Sequence, residues 1–310
     1  MENVDVNAVD GGPVGGMVGE NRGAITNCYS TGNVRGEDCV GGLVGVNDNG
    51  TITNCYSISD IAGKGFVGGL TGSSNWTVTD CYSMGMVSGT GDMIGGLVGG
   101  NYGPITNCYS SSSVSGMSVV GGLVGFNDPA APEISSCYST GSVSGGDCVG
   151  GLVGFNMLCP IINCYSTGNV SGQSNFGGLV GFNAMGTVAK SFWDIETSDC
   201  NTSSGGTPKT TAEMKTKSTF IDAGWDFVNI WDICEGTSYP RLRWQIPGGD
   251  FLCPYGVDFA DFAILASAWR SNPNDPRWNP ACDISKPKDS VIDELDLAVL
   301  CENWLDGTTP

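Results

Sequence analysis

The 310-residue chain reads as a mainly β protein. The expected architecture is a parallel β-helix of about seven coils, then an aromatic-rich cap and a small helical module. Three observations predict it. Cys-Tyr pairs recur at 28, 55, 81, 108, 137 and 164. Gly-Gly pairs begin at 15, 41, 68, 95, 121, 150 and 177, in phase with the first row at a spacing of 26–29 residues. Each unit holds short Val- and Ile-rich runs separated by Gly, Asn, Asp and Ser. A fixed period of that size marks a solenoid, and such punctuation marks strands and turns.

In the second unit the extended runs are "VGGLVG" (40–45), "TITNCYS" (51–57) and "DIAG" (60–63). One unit per coil pairs each strand with its copy in the next coil, about 4.8 Å away. Identical positions then stack into rows. The Asn row at 21, 47, 101, 127, 156 and 183 is expected to be structural, since Asn side chains in a stack satisfy one another. The third unit interrupts it with "GSSN".

The cysteine row needs an explanation of its own. A metal site calls for pairs such as C-x-x-C, and none occurs. Thiol catalysis calls for a base, and histidine is absent. Disulfides between rungs would span Cβ atoms near 4.8 Å, wider than the usual ~3.8 Å. A buried stack of small side chains fits best. The seventh unit accepts Ser191 in the cysteine slot and Phe192 in the tyrosine slot. Strict alternation would put Ile25 and Cys28 on opposite faces. A bend is therefore expected at Asn27, Asn54, Asp80, Asn107, Ser136 and Asn163, where most residues tolerate left-handed backbone. Tyr29, Tyr56, Tyr82, Tyr109, Tyr138 and Tyr165 would then form an outward aromatic row, structural or a strip for a glycan.

With these residues in view, the unit "GGLVGxNxGxITNCYSTG" resembles the GLUG motif, a repeat of bacterial surface and secreted proteins. The resemblance spans about residues 10–190. It implies an extracellular or cell-surface location and an adhesin-like or scaffold-like role, and it brings no catalytic residues.

Composition narrows the function further. Net charge is −19, from 13 Lys and Arg against 32 Asp and Glu. Such a surface repels nucleic acid and anionic membranes. The absence of histidine removes Ser-His-Asp chemistry and His-bearing zinc sites. No apolar run is long enough for membrane insertion. The first residues, "MENVDVNAVDGG", lack a signal peptide's basic start and apolar core. The expectation is an N-terminally truncated piece whose first coil, within the domain 1–190, is incomplete.

Beyond Gly186 the composition changes. A cap is expected over 191–246, rich in Trp193, Trp225, Trp231 and Trp244, with a helix near 211–218 behind a Thr cap. Cys200 and Cys234 are a candidate pair. Residues 247–310 hold a duplication at an offset of 35, "VDFADFAILASAW" (257–269) against "IDELDLAVLCENW" (292–304). Phe262, Leu265, Ala266 and Trp269 fall at helical spacing, as do Leu297, Leu300, Cys301 and Trp304, which places Cys301 in a core. An acidic loop precedes each helix. Read as EF-hand-like loops, the second offers Asp283, Ser285, Asp289, the Val291 carbonyl, Asp293 and Asp296 to Ca²⁺. The first offers Asp250, Asp258 and Asp261 but has Leu252 and Pro254 at ligand positions, so its binding is expected to be weak or absent.

Two loop–helix copies in this length resemble a type I dockerin module. The resemblance implies calcium-dependent docking onto a cohesin-like module or cell-surface component. It also implies association with polysaccharide-degrading systems. Cys253 and Cys282 would be placed to staple the two loops. The functional expectation is a non-enzymatic, secreted or surface repeat protein attached through this module. The alternative is an accessory part of a glycoside hydrolase or lyase system, with the solenoid as a carbohydrate-binding surface or, less favoured, a catalytic β-helix. The repeats scatter their acids (Asp38, Asp48, Asp92, Asp128, Asp147) and build no paired-carboxylate cleft.

Overall fold

A computed structural model describes residues 1–8 and 11–305. The chain forms two compact units, Met1–Met214 with Asp222–Trp225, and Lys215–Ile221 with Asp226–Pro310.

The first unit is a parallel β-solenoid. Three sheets of seven strands and one of thirteen run along it, and their strands pair in parallel. The second coil shows the pattern: Asp38–Gly41, Val44–Asn47, Thr51–Thr53 and Tyr56–Gly63 each belong to a different sheet. The "VGGLVG" and "TITNCYS" runs are thus each two strands. The first breaks at the glycine pair and the second at the Asn-Cys step.

The Asn-Cys break is the bend read from the sequence. Asn27, Asn54, Asp80, Asn107, Ser136 and Asn163 all have φ between 51° and 54°, and Lys190 continues the row at 52°. The turn brings Ile52 and Cys55 into one core with Leu43 and Val44. A second left-handed row was not foreseen. Cys39, Phe66, Met93, Val119, Cys148 and Asn175, each two residues before a Gly-Gly pair, have φ of 47–65°.

The glycine break divides the interior. Leu43, Val44, Ile52 and Cys55 lie in one buried column, and Val40 and Ile61 in another. Between them the second glycine of the first six pairs faces the serine of "CYS". A Cβ on Gly42 would stand 2.0 Å from Ser57 Oγ, and one on Gly96 2.2 Å from Ser110 Oγ. Where the chain comes this close, serine hydroxyls also donate to glycine carbonyls. Ser30 bonds Gly42 O at 2.5 Å, Ser83 bonds Gly96 O at 2.5 Å and Ser166 bonds Gly178 O at 2.6 Å. Each coil therefore has a waist that only glycine can form.

The asparagine ladder is structural. Asn21 donates to Asn47, Asn101 to Asn127, Asn127 to Asn156 and Asn156 to Asn183, each at 2.8 Å. Ser74 fills the gap in the third unit by accepting from Asn47 at 3.1 Å. All members from Asn47 to Asn156 are fully buried, so each bond replaces one to water.

Phe192–Asp194 continues the tyrosine sheet, and Thr207–Lys209 pairs with it as the last strand. Trp193 takes the register of Ser166 and is buried at the end of the Leu/Ile/Cys column, its Nε1 donating to Cys200 O at 2.9 Å. Cys200 ends the valine column. Trp225 packs 6.0 Å from Phe192 and 6.3 Å from Tyr165, and its Nε1 donates to Lys190 O. Of the four tryptophans assigned to the cap, these two close the first unit. Trp231 is in the core of the second and Trp244 is partly exposed there. The single helix expected near 211–218 is two short ones. After α1 (Ile195–Ser198), α2 spans Thr211–Met214 and α3 Lys217–Ile221. The Thr cap is present: Thr210 Oγ1 accepts from Glu213 N while Glu213 Oε2 accepts from Thr210 N.

In the second unit α4 (Phe259–Ser267) and α5 (Glu294–Glu302) share a core of Val257, Leu265, Ala268, Cys282, Ile292 and Leu300. The buried faces differ from those read by spacing. Phe262 and Ala266 are exposed, and so is Cys301, which lies outside the core. The positions they were expected to hold go partly to Asp261 and Asp296, both buried.

Candidate functional site

The cysteine row is inside the solenoid. Cys55, Cys81, Cys108, Cys137 and Cys164 are fully buried, and Cys28 on the first coil is half-buried. Each thiol has a hydrogen-bonding task as well as a volume. Cys108 Sγ donates to Thr106 O at 3.1 Å and accepts from Cys81 N at 3.4 Å. Ser191 does the same in the seventh unit, donating to Ala189 O at 2.9 Å and accepting from Cys164 N at 3.1 Å. This explains why serine is tolerated there. Burial pushes the Cys81, Cys108 and Cys137 thiols well above the ordinary thiol range. They remain protonated and unreactive. In the folded chain a maleimide should label exposed Cys301 first and half-buried Cys28 and Cys39 more slowly. The row from Cys55 to Cys164 should label only on unfolding. Peptide mapping that finds Cys108 labelled as fast as Cys301 would contradict this.

The tyrosine row expected to face outward is half-buried at Tyr29, Tyr56 and Tyr82 and buried from Tyr109 onward. Adjacent rings from Tyr29 to Tyr165 stack at 4.7–5.0 Å with interplanar angles of 5–8°. Each ring covers the face of the next. Tyr109, Tyr138 and Tyr165 are buried, at 8%, 6% and 1% exposure. Stacking on a sugar requires a free ring face, and this row spends its faces on itself. The bend that turns cysteine inward leaves tyrosine beside it, so neighbouring coils bury the ring faces.

The two acidic loops of the second unit share one geometry. Asp258 caps α4 by accepting from Ala260 N at 2.7 Å, and Asp293 caps α5 by accepting from Leu295 N at 2.9 Å. Asp261 Oδ1 accepts from Phe251 N and Leu252 N at 2.7 and 3.1 Å, and its Oδ2 from Asp258 N at 3.0 Å. Asp296 Oδ1 accepts from Ile284 N and Ser285 N at 2.7 and 2.9 Å, and its Oδ2 from Asp293 N at 2.9 Å. These two carboxylates tie each loop to its helix.

The remaining ligand candidates are less engaged. Asp283 is buried at 4% exposure; its Oδ2 accepts from Ser290 N at 3.3 Å and its Oδ1 has no partner. Ser285 beside it is equally buried, and Asp289 Oδ1 accepts only from Val291 N. Asp250 Oδ2 accepts from Gly256 N at 3.0 Å, and burial raises its carboxyl to about 6. Among the described residues no three carboxylate or thiol groups converge on one point. Asp283, Ser285, Asp289 and Val291 all belong to the second loop, while Asp293 and Asp296 accept backbone hydrogens at the start of α5 and of the loop.

Among the described residues one disulfide is present, Cys234–Cys253, with Cα atoms 5.5 Å apart. It corrects both expected pairings, since Cys200 and Cys282 are free and buried. Cys200 instead closes the solenoid column, and Cys282 fills the helical core.

The coil geometry and the rows fix what the repeats are similar to. Three of the coils match the GLUG motif. The matched segments are 36–62, 90–115 and 145–171, each one full turn of the solenoid. A protein of Evansella cellulosilytica named "Putative Gly-rich membrane protein" is 50% identical over 58 residues, covering 19% of this chain and 7% of that protein's length. The chain also resembles a crystal structure from Bacteroides ovatus described as a "putative immunoglobulin A1 protease". The TM-score is 0.54 at 24% identity, over 78% of this chain and 74% of that one. That likeness is one of fold. No helix among the described residues is long and apolar enough to cross a membrane.

Proposed function

We propose that this chain is a non-enzymatic, secreted or surface-attached repeat protein. The GLUG solenoid acts as a rigid display element, and the C-terminal unit is a dockerin-like attachment module. The observation that carries the reading is the duplicated helix-cap geometry, Asp258 with Asp261 and Asp293 with Asp296. It makes two equivalent loop–helix halves around one core. Phe262, Trp269 and Leu297 line a surface groove between the helices, and Phe259 and Leu295 are 79% and 57% exposed. Exposed apolar side chains concentrated on so small a unit favour a protein partner of the cohesin-like kind. The name of the Evansella relative agrees with a surface location.

Calcium is the cation that the second loop suits. Asp283 Oδ1 is the orphaned buried acceptor, and hard oxygen donors from Ser285, Asp289 and the Val291 carbonyl complete an oxygen set. Asp293 has lone pairs to spare beyond its cap. Asp296 would continue to hold the loop to α5. The first loop fits poorly, because Leu252 and Pro254 stand where oxygen donors would be needed. A calorimetric titration of the whole chain should show one bound Ca²⁺. No heat at millimolar calcium would sink the calcium assignment. The carbohydrate-binding alternative loses support from the closed faces of the tyrosine row.

A further inference from the structure

The two loops of the C-terminal unit begin alike and then part. Aligned on the residues that donate to Asp261 and Asp296, they read Asp250-Phe251-Leu252-Cys253-Pro254 and Asp283-Ile284-Ser285-Lys286-Pro287. At the third position the first loop has Leu252 in place of the Ser285 oxygen. At the fourth it has Cys253, bonded to Cys234. Two residues on, the Tyr255 ring lies 4.2 Å from the Arg241 guanidinium, and its hydroxyl is 3.5 Å from Asp232 Oδ2. Arg243 reaches the other oxygen of Asp232 at 3.7 Å. Asp232 and Arg241 come from a small antiparallel ribbon, Trp231–Asp232 paired with Arg241–Leu242, and Arg243 follows it directly. The second loop has no such ribbon bound to it by a disulfide; its nearest cysteine, Cys282, is free.

We propose that a covalent and cationic staple replaces the metal ion in the first loop. The Cys234–Cys253 bond closes the loop onto the ribbon, and Arg241 lies against the loop as a fixed positive charge. A calcium ion holds an acidic loop by gathering its oxygens and neutralising them. The disulfide restricts the same backbone by cross-linking, and the guanidinium packs on the loop's Tyr255 ring. The proposal deepens the attachment reading given above. It makes the unit asymmetric: one half fails on reduction and the other on chelation. It also makes the 231–243 ribbon part of the attachment unit, and it requires maturation in an oxidising compartment.

The test is hydrogen exchange of the full chain, read by mass spectrometry over peptides 250–268 and 283–304. Four conditions are compared: calcium or chelator, each with and without a phosphine reductant. A Cys234→Ser/Cys253→Ser double variant runs in parallel. Reduction or the double variant should speed exchange in 250–268 by at least roughly tenfold. Chelation should leave 250–268 unchanged and speed exchange in 283–304. If 250–268 stays protected after reduction, or loses protection on chelation alone, the staple is wrong. If calcium affects neither peptide while reduction still releases 250–268, the staple stands and the calcium assignment of the second loop falls.

Discussion

Gly96→Ala should destabilise the solenoid by about 3 kcal/mol, an overpacking cost at the upper end for one added methyl. The new Cβ would lie 2.0 Å from Gly122 O and 2.2 Å from Ser110 Oγ. Neither neighbour can yield. The carbonyl is backbone in the next coil, and the serine is buried in the waist of its own coil. The two columns meet at that point, so relief would require the coil to widen and to break pairing on both sides. Stability in a solenoid is a sum of coil and neighbour-interface terms, and loss at a middle coil should uncouple the two ends. Chemical denaturation should show a lower midpoint. A Gly23→Ala control has open space around its Cβ and should change stability by less than about 0.5 kcal/mol. Equal midpoints for the two variants would refute the waist.

Trp193→Ala should cost about 3–5 kcal/mol, the range for removing a buried aromatic. Trp193 is only 4% exposed and stands over Gly178, where a Cβ would lie 2.0 Å from its Cδ1. Removing the ring opens the end of the Leu/Ile/Cys column to water and leaves Cys200 O without its indole donor. Loss of protection should begin at the last coil, around Leu179 and Val180, and leave Leu43 and Val44 protected. Uniform loss along all coils would show that Trp193 is not acting as a cap.

Much of the first unit was legible in the sequence because stacking repeats each signal seven times. The bend at Asn27 and its copies followed from two constraints: Ile and Cys could not share a face without it, and Asn tolerates left-handed backbone. The second left-handed row escaped notice because Phe66, Met93 and Val119 give no hint of it. Ladder bonds to the coils on either side impose that conformation against local preference. Alternation does not say how far each ring is covered: Tyr29, Tyr56 and Tyr82 are half-buried at nearly the same ring spacing at which Tyr109, Tyr138 and Tyr165 are buried.

The second unit was legible in its duplication and its capping aspartates but less so in its faces. Helical spacing favoured Phe262, Ala266 and Cys301 as core. The buried stripe runs through Asp261 and Leu265, and Asp296 and Leu300, because loop amide groups must find acceptors there. No pattern in one sequence ties Cys234 to Cys253, since the ribbon that brings them together has only two residues per strand.

The in-register asparagine ladder has a consequence for how such a molecule changes length. From Asn101 to Asn183 every rung bonds to the same atom of its neighbour, so excising or copying one whole unit there rejoins like with like. Recombination between repeats would then alter the reach of the rod in steps of one strand spacing while leaving its cross-section and its terminal plug intact. The protein can be viewed as a molecular ruler whose graduations are interchangeable.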